Sequence, residues 1–130
     1  MADSVEEAVR TYLTDDSTFS AKFEGIYWYE AGSATYPYLV YWQISDAGTQ
    51  TYIDRSRQGE SRIQFDIWDS DRIRGVRLRA DVADKLDALN TTVDEFTLYT
   101  VSIGENTVPR EKSGQGPYHF VVDAIIRWSK

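Results

Sequence analysis

Hydrophobic and polar side chains alternate along several segments of the chain, and this period of two is typical of β-strands. The clearest case is residues 62–68, where Ile63, Phe65 and Ile67 are separated by polar side chains. Apolar and aromatic runs bounded by glycine, proline or small polar residues extend the prediction to four more segments. The predicted strands are 26–29, 38–45, 62–68, 96–103 and 118–128.

Two segments have the longer period of an amphipathic helix. The sequence Ser4-Val5-Glu6-Glu7 matches a capping box, in which the Ser4 hydroxyl accepts a hydrogen bond from the Glu7 amide. The first predicted helix follows this cap, and residues 14–17 end it and lead into one more helical turn. Its predicted apolar face consists of Val5, Ala8, Val9, Tyr12 and Leu13.

The main predicted helix runs from about residue 71 to about residue 89, and Asp69 or Ser70 can cap its N-terminus. Gly75 is expected to weaken its first turns slightly, because glycine is a poor helix former. Its predicted apolar stripe consists of Ile73, Val76, Ala80, Ala83, Leu86 and Leu89.

The order of the elements is helix, three strands, helix and two strands, so the helices do not alternate with every strand. This order predicts one α+β domain over residues 1–130, with a mostly antiparallel sheet of about five strands and two main helices packed on one face. Residues 46–60 are polar and predict a long arm between two strands that pair as a hairpin. Residues 104–117 are rich in glycine and proline and predict a loop.

Apolar side chains occur on both sides of the predicted strands. The side under the helices is predicted to contain Val40, Trp42, Ile44, Ile63, Phe65, Ile67, Phe120, Val122, Ala124 and Ile126. The other side then contains Leu39, Tyr41, Tyr99, Val101, Val121 and Ile125, mixed with polar residues. Since two modest helices cover only one side, we expect neighbouring copies or a partner to bury part of the other, unless residues 46–60 and 104–117 fold over it.

Composition and charge narrow the range of functions. The chain is 42% hydrophobic, contains no cysteine and has a formal net charge of -7, so it is globular and lacks disulfides and thiol chemistry. Its acidity argues against tight binding to nucleic acid or to an anionic membrane. No apolar run is long enough to span a membrane and the N-terminus lacks a signal-peptide core, so we expect synthesis in the cytoplasm.

Few residues suggest catalysis. The single histidine, His119, can reach Asp123 on the same strand face, but no Gly-x-Ser-x-Gly turn accompanies them, and a strand-end histidine with a local acceptor is the simpler interpretation. Asp66, Asp69 and Asp71 can bind a hard cation or act as acid and base, whereas helix capping accounts for Asp69 and Asp71. We expect no catalytic residue, cofactor or metal, and we do not expect an enzyme.

Charged residues give candidates for contact with another protein. The arginines of the main helix form either a solvated face, with i,i+4 ion pairs such as Arg77 with Asp81, or a patch that complements an acidic neighbour. The predicted arm is either flexible surface or a segment that orders on contact with another subunit. The candidate interface residues are Asp54, Arg55, Arg57, Arg72, Arg79, Tyr41 and Tyr99.

An ordered set of short segments resembles a known family. The segments are Leu13 before Asp15-Asp16, Gly25-Ile26-Tyr27, residues 37–41 leading to Ile44-Ser45, residues 62–68, a long helix rich in alanine and leucine, and a closing strand that ends in Trp128. Together they resemble the bacteriophage tail-completion family, also called tail terminator or tail-to-head joining proteins. The resemblance covers nearly the whole chain, although residues 28–36 lack the proline-rich stretch that is usual after the first strand.

The resemblance implies a small α+β subunit that forms a homo-oligomer, a hexameric ring, in the neck of the virion. Such a ring caps the head-proximal end of the tail tube, terminates tube polymerisation and joins the tail to the head. Its implied partners are a tail tube protein and a head-side neck protein, and DNA passes through its lumen without specific binding. The resemblance implies no catalytic residues, and assembly into the virion follows synthesis in the bacterial host cytoplasm.

Two other functions stay open. One is a head-side neck protein of the stopper or connector type. The other is a small-molecule-binding α+β module that uses an apolar pocket around Tyr41, Trp42 and His119. A monomer with a deep apolar pocket would favour the second alternative.

Overall fold

A computed structural model describes residues 4–31, 35–50, 57–108 and 117–130, which form a layer of helices packed on a sheet. The helices are α1 (Val5–Asp15), α2 (Ser17–Ser20) and α3 (Arg72–Asp87). The strands are β1 (Gly25–Trp28), β2 (Tyr38–Gln50), β3 (Arg57–Asp69), β4 (Asn90–Val93), β5 (Phe96–Val108) and β6 (Tyr118–Ser129).

The six described strands form one mixed sheet in the order β1-β2-β3-β6-β5-β4. β1 runs parallel to β2, and every other neighbouring pair is antiparallel. α3 connects the central strand β3 to the edge strand β4 and crosses the sheet on its helical side. The predicted α+β class is therefore right in outline, whereas the strand number is six rather than about five and one pair is parallel.

Several strand boundaries differ from the sequence prediction. β4 is missing from the prediction because its sequence, Asn-Thr-Thr-Val, offers a single large apolar residue; it pairs with β5 across a turn of two residues. Residues 46–50 and 57–61 pair with each other and lengthen the β2–β3 hairpin. Part of the predicted arm is therefore strand, and residues 51–56 lie outside the described residues. β5 continues to Val108, into the predicted loop.

Helix α1 has the cap and the face that the sequence predicts. The Ser4 hydroxyl accepts a hydrogen bond from the Glu7 amide at 3.3 Å. Asp16 ends α1 and caps the short helix α2. The Tyr12 hydroxyl donates to the Lys85 carbonyl oxygen at 2.7 Å, which links α1 to α3. The buried apolar residues of α1 are Val5, Ala8, Val9 and Leu13.

The predicted apolar stripe of α3 is confirmed in its second half, where Ala83, Leu86 and Leu89 are buried, and is wrong in its first half. The N-cap of α3 is Asp71, whose Oδ1 accepts hydrogen bonds from the amides of Ile73 and Arg74 at 3.0 and 3.2 Å. Ile73 is 67% exposed, and Val76 is exposed as well. The buried residues of α3 are Gly75, Leu78, Val82, Ala83 and Leu86.

Gly75 lies where the first half of α3 packs closely against β6. A Cβ atom at this position would lie 2.2 Å from Cε2 of Phe120 on β6, well inside the 3.5–4.0 Å at which carbon atoms pack. Phe120 is almost fully buried, so its ring cannot move aside without displacing its neighbours. The glycine that the sequence suggests is a weak point in the helix is therefore a packing requirement.

The side of β2 that faces the helices is the opposite of the predicted one. Leu39 and Tyr41 are fully buried in the core. Residues 38–42 are apolar or aromatic at every position, so alternation does not assign a face to this strand. Pairing with β3 does: Leu39 lies opposite Ile67 and Tyr41 opposite Phe65, and opposite residues share a face. The residues wrongly predicted under the helices are Val40, Trp42 and Ile44.

The outer strands are much shorter than the strands they flank. β1 and β4 have four residues each, whereas β2 and β5 have 13 each. β1 pairs with residues 38–41 and β4 with residues 96–99. Each of the two longer strands also contains a β-bulge, at Ile44 in β2 and at Val101 in β5, and a bulge bends and twists the strand that carries it.

Candidate functional site

The side of the sheet without helices is mixed in character. It is aromatic along β2 and charged along the central strands β3 and β6. Val40 and Val121 are nearly buried there, while Trp42 is 41% exposed. The apolar surplus predicted from the sequence is clearest next to β2, while Tyr99 and Val101 of β5 are exposed as well. The alternative prediction is cover by residues 46–60 and 104–117; of these, 46–50, 57–60 and 104–108 belong to strands, and 51–56 and 109–116 lie outside the described residues.

The aromatic region borders a cavity of about 310 Å³ that is open to solvent. Its floor is the pair of opposite residues Val40 and Asp66. Tyr38 and its partner Trp68 lie two positions along the strands on one side, and Trp42 lies two positions along on the other. Because residues of one face recur about every 7 Å along a strand, aromatic rings flank the floor on both sides. We call this site the aromatic cavity; residues 29–31 complete its lining.

A tight turn after β1 brings Tyr29 and Glu30 to the aromatic cavity. The φ angle of Tyr29 is 71°, and the Glu30 amide donates to the Trp28 carbonyl oxygen at 2.9 Å. A three-residue turn with positive φ at its centre is a strained γ-turn. The Tyr29 amide donates to the Tyr41 carbonyl oxygen at 3.0 Å, so the turn is fastened to β2.

The floor and one wall of the aromatic cavity are supported by His119. Its Nε2 lies 2.9 Å from Oδ1 of Asp66, and its ring stacks on Trp68 with 3.9 Å between centroids and 9° between planes. Gln64 donates to the same Asp66 oxygen at 2.9 Å. His119 thus has the local acceptor that the sequence suggested, and this acceptor is Asp66 rather than Asp123.

The charged residues beyond the aromatic cavity are paired within the chain. Arg62 lies 3.5 Å from Asp123. Arg127 binds Glu60 and also donates to the Tyr99 hydroxyl at 3.0 Å. The hydrogen bond with Glu60, followed by the one with Tyr99, raises the pKa of Arg127. This part of the face is therefore largely neutralised by its own ion pairs.

Two arginines of α3 bind acidic residues of the same chain. Arg74 forms hydrogen bonds of 2.8 and 2.6 Å with the two carboxylate oxygens of Asp69. Burial alone would raise the pKa of Asp69, but the hydrogen bonds from Arg74 and from the Asp71 amide outweigh burial and lower it. Arg79 lies 3.6 Å from Glu105. These residues join α3 to the sheet and are structural.

The other two arginines of α3 lie on its outer side. Arg72 and Arg77 are exposed, and no carboxylate in the described part of the chain lies within 4.0 Å of either guanidinium. The predicted pair of Arg77 with Asp81 is not formed, because Asp81 binds Lys22 at 3.1 Å. We call the outer surface of Arg72, Arg77 and the exposed apolar residues Ile73 and Val76 the α3 ridge.

The three aspartates considered as a cation or acid–base cluster have separate partners. Asp66 contacts His119, Asp69 contacts Arg74, and Asp71 caps α3. No group of acidic or histidine side chains suited to a metal ion occurs in residues 4–31, 35–50, 57–108 and 117–130. No helix in these ranges has the length and apolar character needed to cross a bilayer.

The predicted interface residues do not form one surface. Asp54 and Arg55 lie outside the described residues; Arg57 starts β3, and its side chain is not described. The prediction of Tyr41 as an interface residue is wrong, because Tyr41 is fully buried under the helices. Arg72 and Arg79 lie on α3, and Tyr99 lies on β5, as described above. The pocket considered around Tyr41, Trp42 and His119 contains Trp42 in its lining, with His119 behind Trp68.

The sequence reasoning missed most of the aromatic cavity. Tyr29, Glu30, Tyr38 and Trp68 come from three segments that are brought together by the parallel pairing of β1 with β2 and the antiparallel pairing of β2 with β3. The density of aromatic residues in residues 27–42 was the available signal, but it does not reveal which of them share a face.

Comparison with known proteins relates the fold to a virion chain. No protein-family model and no curated protein sequence matches the chain. Among solved structures, it is similar to a chain of a structure described as "Virion of native gene transfer agent (GTA) particle", with a TM-score of 0.61 and 13% sequence identity. The match covers 97% of this chain and 93% of that chain. The two chains therefore share a fold over nearly their whole lengths.

Proposed function

We propose that the chain is a structural protein of a bacteriophage or phage-like virion. In the specific form of this proposal, it assembles as a hexameric ring at the head-proximal end of the tail tube. There it terminates tube polymerisation and joins the tail to the head. The observation that carries the proposal is the fold shared with a chain of a gene transfer agent virion, over 97% of this chain.

The resemblance of the sequence to tail-completion proteins supports the choice of position within the virion. It rests on residues in chain order, whereas the structural similarity rests on backbone geometry at 13% identity. The two arguments use different information and both favour a virion protein, but only the resemblance bears on the position within the virion. A head-side neck protein remains the alternative, because a shared virion fold does not distinguish the two sides of the joint.

Two unlike exposed surfaces support assembly into a ring. The α3 ridge lies on the helical side of the molecule and the aromatic cavity on the opposite side of the sheet. A closed ring requires a heterologous contact, in which one surface of a subunit meets a different surface of the next. The α3 ridge provides exposed apolar side chains and two unpaired arginines, and the net charge of -7 means that neighbouring subunits offer acidic partners.

We further propose that the protein has no catalytic role. The aspartates and the histidine that could act as acid or base are engaged in local contacts. His119 is held between Asp66 and the Trp68 ring, and Asp69 is bound by Arg74. DNA passes through the proposed ring, and the acidic composition is expected to keep the DNA from sticking to it.

The proposal is tested by mixing the purified protein with tail tubes and measuring both mass and position. Native mass spectrometry or light scattering gives the number of subunits, and negative-stain electron microscopy shows where the protein binds. We expect a ring of six subunits at one end of each tube and tubes of uniform length. Binding only to isolated head-side connector complexes would support the neck alternative, and binding to neither would contradict a role in the joint.

A charge placed on the α3 ridge tests the surface assigned to the ring. We expect Ile73→Glu to prevent ring formation while the monomer stays folded, because Ile73 is largely exposed. Thr18→Glu is the control, since Thr18 is also exposed but lies on α2, outside the α3 ridge. Equal assembly of both variants would exclude the α3 ridge from the ring contact.

A further inference from the structure

The aromatic cavity combines two features that together point to a ligand. Its walls are the rings of Tyr29, Tyr38, Trp42 and Trp68, and its lining also includes the carboxylates of Glu30 and Asp66. Aromatic faces carry negative electrostatic potential and attract cations. Among the lining residues that the structure describes there is no arginine, lysine or histidine. The cavity therefore favours a positively charged guest with an apolar or flat surface.

Asp66 is fixed in the floor in a way that suits recognition. It is only 9% exposed, and the contacts that orient it, from His119 and Gln64, both use Oδ1. A carboxylate held rigid and shielded from water makes stronger charge-assisted hydrogen bonds than one that moves freely in solvent. The nearest arginine along β3, Arg62, is occupied by Asp123.

The shape of the site discriminates between the two common cationic side chains. The guanidinium group of arginine is planar, stacks on aromatic rings and presents several donors in one plane. The lysine ammonium group is compact and strongly hydrated, so it loses more on entering an aromatic site. A volume of about 310 Å³ accommodates either side chain, so stacking rather than size decides between them.

We propose that the aromatic cavity binds the arginine side chain of a partner protein. The guanidinium stacks on the aromatic walls and donates hydrogen bonds to Asp66. Trp42 is the more exposed of the two cavity tryptophans. Glu30 adds a second negative charge at the lining. This inference concerns the recognition chemistry of the cavity and does not depend on the position of the protein within a virion.

The strained turn at Tyr29 is consistent with this assignment. Sparsely populated backbone conformations persist where the surrounding structure imposes them, and they cluster at binding sites. Here the hydrogen bonds from Tyr29 to Tyr41 and from Glu30 to Trp28 hold the turn. The turn places one aromatic ring and one carboxylate in the cavity lining before any guest arrives, which reduces the entropy lost on binding.

The test is a titration of the whole chain with capped amino acids, followed by NMR of the tryptophan indole N–H signals. The probe is N-acetyl-arginine-N-methylamide, and its control is the citrulline analogue, which has nearly the same shape but no charge. We expect shifts at Trp42 and Trp68, with a dissociation constant on the order of millimolar. The buried Trp128, which packs against Phe96, should not shift. The citrulline probe should bind about tenfold more weakly.

Variants locate the binding within the cavity. Trp42→Ala and Glu30→Gln change exposed side chains and should leave the fold intact, yet they should weaken the arginine probe about threefold or more. Glu24→Gln removes the same charge from an exposed residue outside the lining and should leave the affinity unchanged. Asp66→Asn should weaken binding about tenfold.

Two results would overturn the proposal. One is an absence of shifts at Trp42 and Trp68 at about 50 mM arginine probe, far above the expected dissociation constant. The other is equal binding of the arginine and citrulline probes, which would make the cavity a site for neutral groups. Both results are independent of ring formation. A protein that fails to form rings can still bind arginine in the aromatic cavity, and a protein that forms rings can fail to bind it.

Discussion

Replacing Gly75 by alanine should destabilise the protein, although the same change stabilises an ordinary helix. In an exposed helix interior, alanine is favoured over glycine by about 1 kcal/mol. Here the added Cβ would meet Cε2 of Phe120 at 2.2 Å, and overpacking of a buried contact costs typically about 1–3 kcal/mol. Because the ring is almost fully buried, we expect the upper part of that range and a net loss of about 2 kcal/mol.

The assay is equilibrium unfolding in denaturant, with the midpoint and the slope compared between variants. Ala80→Gly calibrates helix propensity at an exposed position of the same helix and should cost about 1 kcal/mol. Phe120→Leu removes the ring edge that the new methyl group would strike. In the double variant, Gly75→Ala should therefore lose most of its cost, which gives a coupling energy of at least about 1 kcal/mol.

The reasoning fails if Gly75→Ala is as stable as the parent chain or more stable. Such a result would mean that α3 can shift outward at no cost, and Gly75 would not be a packing requirement. A loss that persists unchanged in the double variant would also contradict the proposed cause, since the clash partner would have been removed.

Two further predictions concern polar groups at buried or partly buried positions, and a third concerns DNA. The Tyr41 hydroxyl is buried without a hydrogen-bond partner among the described residues, so Tyr41→Phe should raise the free energy of unfolding by about 1 kcal/mol. Tyr12→Phe removes a hydrogen bond of 2.7 Å and should lower the free energy of unfolding by about 1 kcal/mol. Thermal or denaturant unfolding distinguishes these signs, and a loss in both variants would refute the unpaired assignment of Tyr41. Because the pKa of Asp69 is lowered by folding, its contribution is present above the unfolded pKa of about 3.9 and is lost as pH falls through the folded pKa. Asp69→Asn should lower the free energy of unfolding by about 2 kcal/mol at neutral pH and should flatten its fall below about pH 4. An unchanged pH dependence below about pH 4 would contradict the assigned role of Asp69. A filter-retention assay with duplex DNA at moderate salt should detect no binding by the assembled ring, and salt-sensitive retention would contradict the expected effect of its acidity.

The parts of the fold that could be predicted are those in which only one assignment of the buried face fits the sequence pattern. In α1 the capping box and the apolar face agree with each other, and in residues 62–67 of β3 polar and apolar residues alternate. In each case a single placement buries the apolar residues, so local sequence is sufficient.

Other elements depend on contacts between distant segments. Residues 38–42 of β2 are apolar or aromatic throughout, so only pairing with β3 decides that Leu39 and Tyr41 enter the core. In the first half of α3 two stripes have helical spacing, and the buried one contains Gly75, which packs against a ring on β6. No pattern within the helix reveals that contact.

The aromatic cavity was beyond sequence reasoning for a related reason. Its lining residues lie on a turn and on two strands, and their proximity depends on the parallel pairing of β1 with β2. The sequence does supply the aromatic residues in quantity. It does not show that Asp66 lies among them, because its place in the floor follows from its position opposite Val40.

The short outer strands give the sheet two open corners. Beyond β1, residues 42–50 of β2 have no described neighbour on their outer side, and beyond β4 the same holds for residues 101–108 of β5. These stretches lie at diagonally opposite ends of the sheet. Backbone donors and acceptors that have no strand partner in the described part of the chain can take up a strand from another molecule there. Any such guest strand must lie in line with β1 or β4, which limits its length and sets its register.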